Sequence, residues 1–230
     1  SSMWTPVALV PVIAVLLLYL VGTTNFYNFM DGINGIAGLS GVIAFSLLGG
    51  YFLYCSPQDA SSQSLPLLAL CIASACLGFL PFNVSRAKVF MGDAGSIALG
   101  FVFAALVIMM AEDYRGMICL AALLFPFYAD ELTTMYIRLR DRENLLEPHR
   151  RHLYQLLANE CGIAHWKVTM IYGMVQLAVG IVVLTAYSAG IHVVALFLLV
   201  SFLAFTFVTY QVRKKIKFSE EVLLENDHSL

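Results

Sequence analysis

Apolar residues run through this chain in blocks of about twenty, separated by short polar connections. Neither the spacing of a half-exposed helix nor the alternation of a half-buried strand is present. A helix needs roughly 20 residues to cross a hydrocarbon layer about 30 Å thick. Seven segments approach that length, near residues 6–23, 36–54, 65–82, 96–111, 117–138, 166–187 and 191–211, the fourth being short. Only helices and closed barrels satisfy their own backbone in lipid, and barrel alternation is missing. The pattern therefore predicts an all-α, polytopic transmembrane helix bundle of about seven helices. Residues 1–211 are expected to form one membrane domain and 212–230 a cytoplasmic tail, because no tandem repeat or long linker divides the chain.

Composition agrees with this reading. The 230 residues are 60% hydrophobic and 12% charged, with a mean hydropathy of +0.82, about half the charge fraction of a soluble domain. The net charge of -2 gives no reason to expect a nucleic-acid partner; what matters is where the basic residues fall. Alternating the connections between two sides places 12 of the 13 Lys and Arg residues on one side and Arg115 alone on the other. The positive-inside rule makes the basic side cytoplasmic, the N-terminus outside and the C-terminus cytoplasmic. Trp4 and Trp166 then fall near opposite interfaces. An N-out start without a basic, cleavable leader points to the C-terminal part of a longer protein or to a truncated product. Cys55, Cys71, Cys76, Cys119 and Cys161 show no metal-type pairing and are expected to be small buried packing residues.

Polar chemistry concentrates in three connections on the basic side. The first is "NFYNFMDGINGIAG", residues 25–38, where Asn25, Asn28, Asp31 and Asn34 interrupt the apolar pattern. Asparagines that cap helices and an Asp-Gly turn explain it as well as a ligand does; Gly38 and Gly41 fit close helix packing. The second, "FNVSRAKVFMGDAGS", residues 82–96, brings Asn83, Phe90 and Asp93. Glycines 92 and 95 at a helix start would let backbone N–H groups approach an anion, Asp93 is an oxygen donor for a hard cation, and Phe90 offers a face to a nucleobase. A helix-capping aspartate beside a lipid-facing phenylalanine is the structural alternative. The third carries "EPHRRHLYQLL", residues 147–157. There His149 and His152 are expected on one face of an interfacial helix, with Arg150 and Arg151 attracting anions and Leu153, Leu156 and Leu157 lying against headgroups. Basic loops also exist for topology and acidic lipids alone. Asp130 and Glu131 lie within a spanning segment and should face the interior or water, since charge in lipid is costly.

These three stretches, in this order, resemble the polyprenyl-phosphate N-acetylhexosamine-1-phosphate transferase family (glycosyltransferase family 4) over nearly the whole chain to about Gln211. The likeness is closest to bacterial enzymes that initiate O-antigen or other surface-glycan lipids, because members making the peptidoglycan precursor carry an HHH-type loop motif. The resemblance implies transfer of a sugar 1-phosphate from a UDP-N-acetylhexosamine to undecaprenyl phosphate in the bilayer of the bacterial inner membrane, at the cytoplasmic face. UMP would be released, with Mg2+, or Mn2+ in its place, as cofactor. It implies Asp93 as metal ligand with Asn28 or Asn25 nearby, Asp31 as an essential carboxylate, and Asn83, Phe90 and the turn Gly32, Ile33 and Asn34 around the uridine. His149, Arg150, Arg151 and His152 would bind donor phosphate or sugar. A homodimer is compatible with it. Two departures stand out: many relatives have aspartate at the position of Asn34, and the family's adjacent aspartate pair from an earlier loop occurs nowhere in this chain. If these residues were the entire natural product, no transferase activity is expected. A secondary transporter using Asp130 and Glu131 is the rival from another class. An intramembrane aspartyl protease would need glycine where Phe90 stands.

Overall fold

A computed structural model describes residues 6–55, 63–84, 87–144, 147 and 150–227, with backbone alone for 6–8 and 219–227. Trp4, Arg86, Pro148 and His149 lie outside the described residues. Nine α-helices are described: α1 Pro6–Phe29, α2 Ile36–Cys55, α3 Ser64–Asn83, α4 Gly92–Met110, α5 Tyr114–Ala121, α6 Phe125–Arg140, the single turn α7 Leu153–Gln155, α8 His165–Ala186 and α9 Ile191–Asp227. Among the described residues seven spans are long and apolar enough to cross a membrane: α1 to α4 singly, α5 with α6, α8, and α9 as far as Phe218. The expected all-α membrane bundle is therefore observed.

The helices depart from the sequence expectation at four places. Helix α1 does not stop at residue 23 but runs to Phe29. There the Thr24 hydroxyl donates to the Leu20 carbonyl at 2.7 Å and the Asn25 amide to the Val21 carbonyl at 2.9 Å, so these polar side chains are satisfied four residues back along their own helix. Helix α4 starts at Gly92 rather than residue 96. The fifth span is interrupted by a 3-10 turn, Ala122–Leu124, before Pro126 at the start of α6, because proline has no N–H for the preceding turn. Gln176 on α8 repairs part of that break, its amide donating to the Leu123 carbonyl at 2.9 Å and to the Ser40 carbonyl at 3.1 Å. Helix α9 also passes residue 211 without interruption.

Helix α2 is the centre of the bundle, packed against α3, α8 and the broken turn, while α1 packs against α4. A Cβ on Gly38 would lie 3.0 Å from Leu80 Cδ2, and one on Gly41 would lie 2.8 Å from Cys76 Sγ, so the α2–α3 seam depends on small residues as expected. Phe45 meets Phe103 edge-on at 5.8 Å, and Tyr27 meets Phe127 at 5.1 Å. Large apolar side chains such as Leu18, Leu196 and Phe207 point outward, which suits lipid rather than water. The cysteine expectation holds only in part: Cys76 and Cys119 are buried, whereas Cys55, Cys71 and Cys161 are exposed.

Cross-links between elements define one polar end. The end of α1 is bonded to the start of α4, the start of α2 to the end of α3 and the start of α8, and α7 both to Asp130 of α6 and to the end of α1. The three polar connections therefore share one end of the bundle.

Candidate functional site

A cavity of about 190 Å³ opens at this end, lined by Asn28, Asp31, Gly32, Ile33, Asn34, Asn83, Phe90, Met91, Gly92 and Asp93. Two connections far apart in sequence thus contribute one surface. Its size is below the roughly 300–1,000 Å³ that encloses a drug-sized ligand, so it suits one polar part of a larger molecule.

Each lining residue is positioned by backbone chemistry. Asp93 sits in the first turn of α4, where the helix N-terminus favours negative charge. Asn28, on the last turn of α1, donates through Nδ2 to Asp93 Oδ1 at 3.1 Å and to Ser96 Oγ at 2.9 Å. With its NH2 group so engaged, the Asn28 carbonyl oxygen is the atom left for a cation. Asp31 follows directly on the end of α1, its N–H bonded to the Asn28 carbonyl at 3.1 Å. Burial, then the nearby Asp93 charge, push the Asp31 carboxyl up to about 7. The chain reverses through Gly35, whose φ of +87° lies in the left-handed region that glycine adopts readily. Asn83 clamps this turn to the second connection. Its Oδ1 accepts from the Gly35 N–H at 2.6 Å and its Nδ2 donates to the Val89 carbonyl at 2.8 Å. Phe90 is 74% exposed at the cavity rim, a flat apolar face with nothing burying it.

Two carboxylates facing one cavity, one of them pushed up by burial and then by the charge of the other, are the donor set a divalent cation relieves. Magnesium is commonly held by one or two carboxylates with substrate phosphates completing its shell. Among the described residues no group of three or more His, Cys, Asp or Glu is arranged to hold a metal ion by itself. The fit is therefore to a cation shared with a phosphate ligand, not to a closed protein cage.

The third connection is arranged differently from expectation. His149 is outside the described residues, so the expected shared face of the two histidines falls outside them too; helix is described from Leu153, with His152 as its N-terminal cap. Leu153 is buried in the bundle rather than laid against headgroups. His152 is itself 2% exposed. Its Nδ1 lies 3.6 Å from Asp130 Oδ1 and its Nε2 lies 3.4 Å from Glu131 Oε2. Asp130 and Glu131 thus face the interior, as their cost in lipid requires, and they bind protein groups. Arg151 pairs with Glu143, and its carbonyl accepts from Arg213; Arg150 is exposed. Asn25 is exposed, bonds only within α1 in the contacts described above, and does not line the cavity.

Several contributors escaped the sequence reading. Tyr154 reaches the first connection: its hydroxyl donates to the Phe29 carbonyl at 2.9 Å. His165 accepts from the Asn34 N–H at 3.5 Å, and the Thr169 hydroxyl donates to the Asn34 carbonyl at 2.9 Å. Ser96, three residues after Asp93, had a readable signal in the helical spacing; the others are non-local contacts with none.

Comparison with known proteins gives concordant results. Residues 2–111, just under half of the chain, match the family described as Glycosyl transferase family 4. The chain is 34% identical over 127 residues to the phospho-N-acetylmuramoyl-pentapeptide-transferase of Staphylococcus saprophyticus, covering 52% of this chain and 38% of that protein. It is equally 34% identical over 155 residues to the decaprenyl-phosphate N-acetylglucosaminephosphotransferase of Mycobacterium tuberculosis, covering 61% of this chain and 35% of the relative. The phospho-N-acetylmuramoyl-pentapeptide-transferase of Bifidobacterium animalis subsp. lactis is 34% identical over 113 residues, 49% of this chain and 30% of that protein. The chain thus spans about a third of the length of these relatives. Relatives of both names stand at 34% identity.

Proposed function

We propose that this chain carries the donor-binding part of a polyprenyl-phosphate sugar-1-phosphate transferase. It would take an N-acetylhexosamine 1-phosphate from a UDP-sugar, pass it to undecaprenyl phosphate, and release UMP at the cytoplasmic face of the bacterial inner membrane. The observation that carries this reading is the meeting of Asp31 and Asp93, from two connections, in one small polar cavity with Asn28 and Phe90. Its placement at the end of a membrane bundle lets a water-soluble anion and a lipid-borne phosphate approach each other. The similarity to transferases of this class supports the same assignment. The basic residues that favour a cytoplasmic orientation occupy the same set of connections.

Asp93, Asp31 and the Asn28 carbonyl would hold a magnesium ion, which when bound neutralises charge on the diphosphate as the P–O bond breaks. The protein's own part is positioning. Asn28 orients the Asp93 carboxylate, Asn83 fixes the Gly32–Gly35 turn against the Val89–Phe90 strand of chain, and Phe90 offers its ring to the uracil. Arg150 and Arg151 would bring positive charge toward the sugar phosphate. We assign the product to surface-glycan initiation because the "PHRRH" stretch lacks the triple histidine of peptidoglycan-precursor enzymes.

The transporter reading is not favoured. Asp130 is held by protein donors from three elements instead of facing a water-lined path.

The test uses membranes carrying the natural full-length protein that contains this sequence, incubated with labelled UDP-GlcNAc or UDP-GalNAc and undecaprenyl phosphate. Magnesium-dependent UMP release that falls by about a hundredfold or more in Asp93→Asn, the loss typical of removing electrostatic stabilisation, supports the proposal. Undiminished UMP release by Asp93→Asn, or none by the wild type with any UDP-N-acetylhexosamine, overturns it.

A further inference from the structure

Asp130 lies inside the bundle, entirely enclosed, and lines no part of the cavity. Enclosing a carboxylate costs several kcal/mol unless hydrogen bonds replace its water. Here the replacement is extensive. Oδ1 accepts from the Leu153 N–H at 2.8 Å and the Thr134 hydroxyl at 3.3 Å, and Oδ2 accepts from the Tyr154 N–H at 3.2 Å and the Tyr172 hydroxyl at 2.6 Å. The His152 ring lies against the carboxylate, Nδ1 being 3.6 Å from Oδ1. Two of these donors are the first backbone N–H groups of α7, so a side chain of α6 takes up the N–H groups that the helix's own His152–Gln155 capping box leaves over.

What α7 carries explains why its placement matters. The Tyr154 ring is enclosed, stacked on His152 at 5.7 Å and edge-on to Tyr172 at 6.3 Å. Its hydroxyl ends on the carbonyl of Phe29, the last residue of α1. The same oxygen occupies the space beside Gly32, where a Cβ would lie only 2.1 Å from it. Phe29 and Gly32 bracket Asp31. The turn that presents the Asp31 carboxylate is thus braced from behind by one phenol, whose backbone is held by one buried carboxylate on another helix.

We propose that Asp130 is a positioning residue for the cavity. It anchors Tyr154, and through Tyr154 it sets the conformation of residues 29–32 and the aim of Asp31. The consequence for catalysis rests on the transferase reading above; the mechanical coupling does not.

The experiment compares Asp130→Asn and Tyr154→Phe in the full-length protein in nanodiscs, by hydrogen exchange and by steady-state kinetics. Asp130→Asn replaces one acceptor oxygen by a donor facing backbone N–H groups, and is expected to speed exchange both in residues 153–160 and in residues 29–35. Tyr154→Phe leaves the α7 cap intact and cuts only the contact with Phe29; it is expected to speed exchange in 29–35 alone. The α2–α3 seam around Gly41 serves as an unaffected control. Both variants should lower kcat by about tenfold to a hundredfold with donor KM within about twofold, the signature of a misaimed group, not of a lost binding contact. The double variant should be no slower than Asp130→Asn alone. A purely structural cap would loosen 153–160 and leave both 29–35 and kcat unchanged, and that result overturns the inference. If Asp130→Asn does not fold, unchanged exchange in 29–35 of Tyr154→Phe has the same force. If wild-type membranes release no UMP, the transferase reading fails while exchange still decides the coupling.

Discussion

Substitution Gly32→Ala tests the bracing contact from the opposite side. The added Cβ would meet the Tyr154 hydroxyl oxygen at 2.1 Å and the ring atoms Cε2 and Cζ at 3.0 Å. Phenol oxygens usually lie at the free end of a side chain and swing aside cheaply. This one cannot, because the ring is held between His152 and Tyr172 and the hydroxyl is bonded to Phe29. The variant must therefore give up that hydrogen bond, about 0.5–1.5 kcal/mol, and absorb overpacking worth about 1–3 kcal/mol. A total of about 1.5–4.5 kcal/mol is expected from these two contributions. Tyr154→Phe alone removes the hydrogen bond and should cost about 1 kcal/mol. In that background the 2.1 Å contact no longer exists and only the 3.0 Å ring contacts remain, so adding Gly32→Ala should cost under about 1.5 kcal/mol. The double variant should then be less destabilised than the sum of the singles by about 1–2 kcal/mol, well above the 0.3–0.5 kcal/mol scatter of independent sites. Urea or thermal unfolding of all four proteins in one detergent measures this directly. Additive costs within that scatter would show that the Tyr154 hydroxyl does not press against Gly32, and would refute the bracing geometry.

Further outcomes follow from the same contacts. Asn83→Ala leaves the buried Gly35 N–H without this partner, whereas the Val89 carbonyl lies on an exposed residue and can turn to water; a loss of about 1–3 kcal/mol for the buried group left unpaired should appear as a lower unfolding temperature and faster exchange at Gly35. A loss below about 0.5 kcal/mol would remove the clamp from the account. Asp31, pushed up to about 7 by burial and Asp93, should react with carbodiimide, which modifies protonated carboxyls, with a midpoint near 7 in metal-free protein. Its neutral form is the one the fold prefers, so its contribution to stability declines as pH rises from the unfolded carboxylate value, about 4, through the folded one. Asp93→Asn should move the midpoint down without restoring the unfolded value, since burial is the larger cause, and millimolar magnesium should lower it too. A midpoint near 4 in the wild type would contradict the shared cavity.

The architecture was legible because lipid simplifies the code. Blocks of about twenty apolar residues can only be spanning helices, and all seven were visible in the chain. Polar residues that broke this pattern pointed to the connections that form the cavity: Asn28, Asp31, Asn83 and Asp93 stood out there, although caps and turns accounted for them equally well. Boundaries were less legible. Thr24 and Asn25 look like helix breakers yet satisfy themselves on α1, an arrangement that residue type alone does not distinguish from a loop.

What the order of residues determined by itself was the class of fold and two of the three polar surfaces, because each rests on local periodicity or local composition. Only the tertiary structure decided that His152 turns inward to Asp130 and Glu131, that Asn25 stays out of the cavity, and that Tyr154 supports Asp31 from 123 residues away in sequence. Those outcomes depend on which helices become neighbours. A buried carboxylate takes the nearest donors that packing supplies, and packing is a property of the whole bundle, not of any stretch within it.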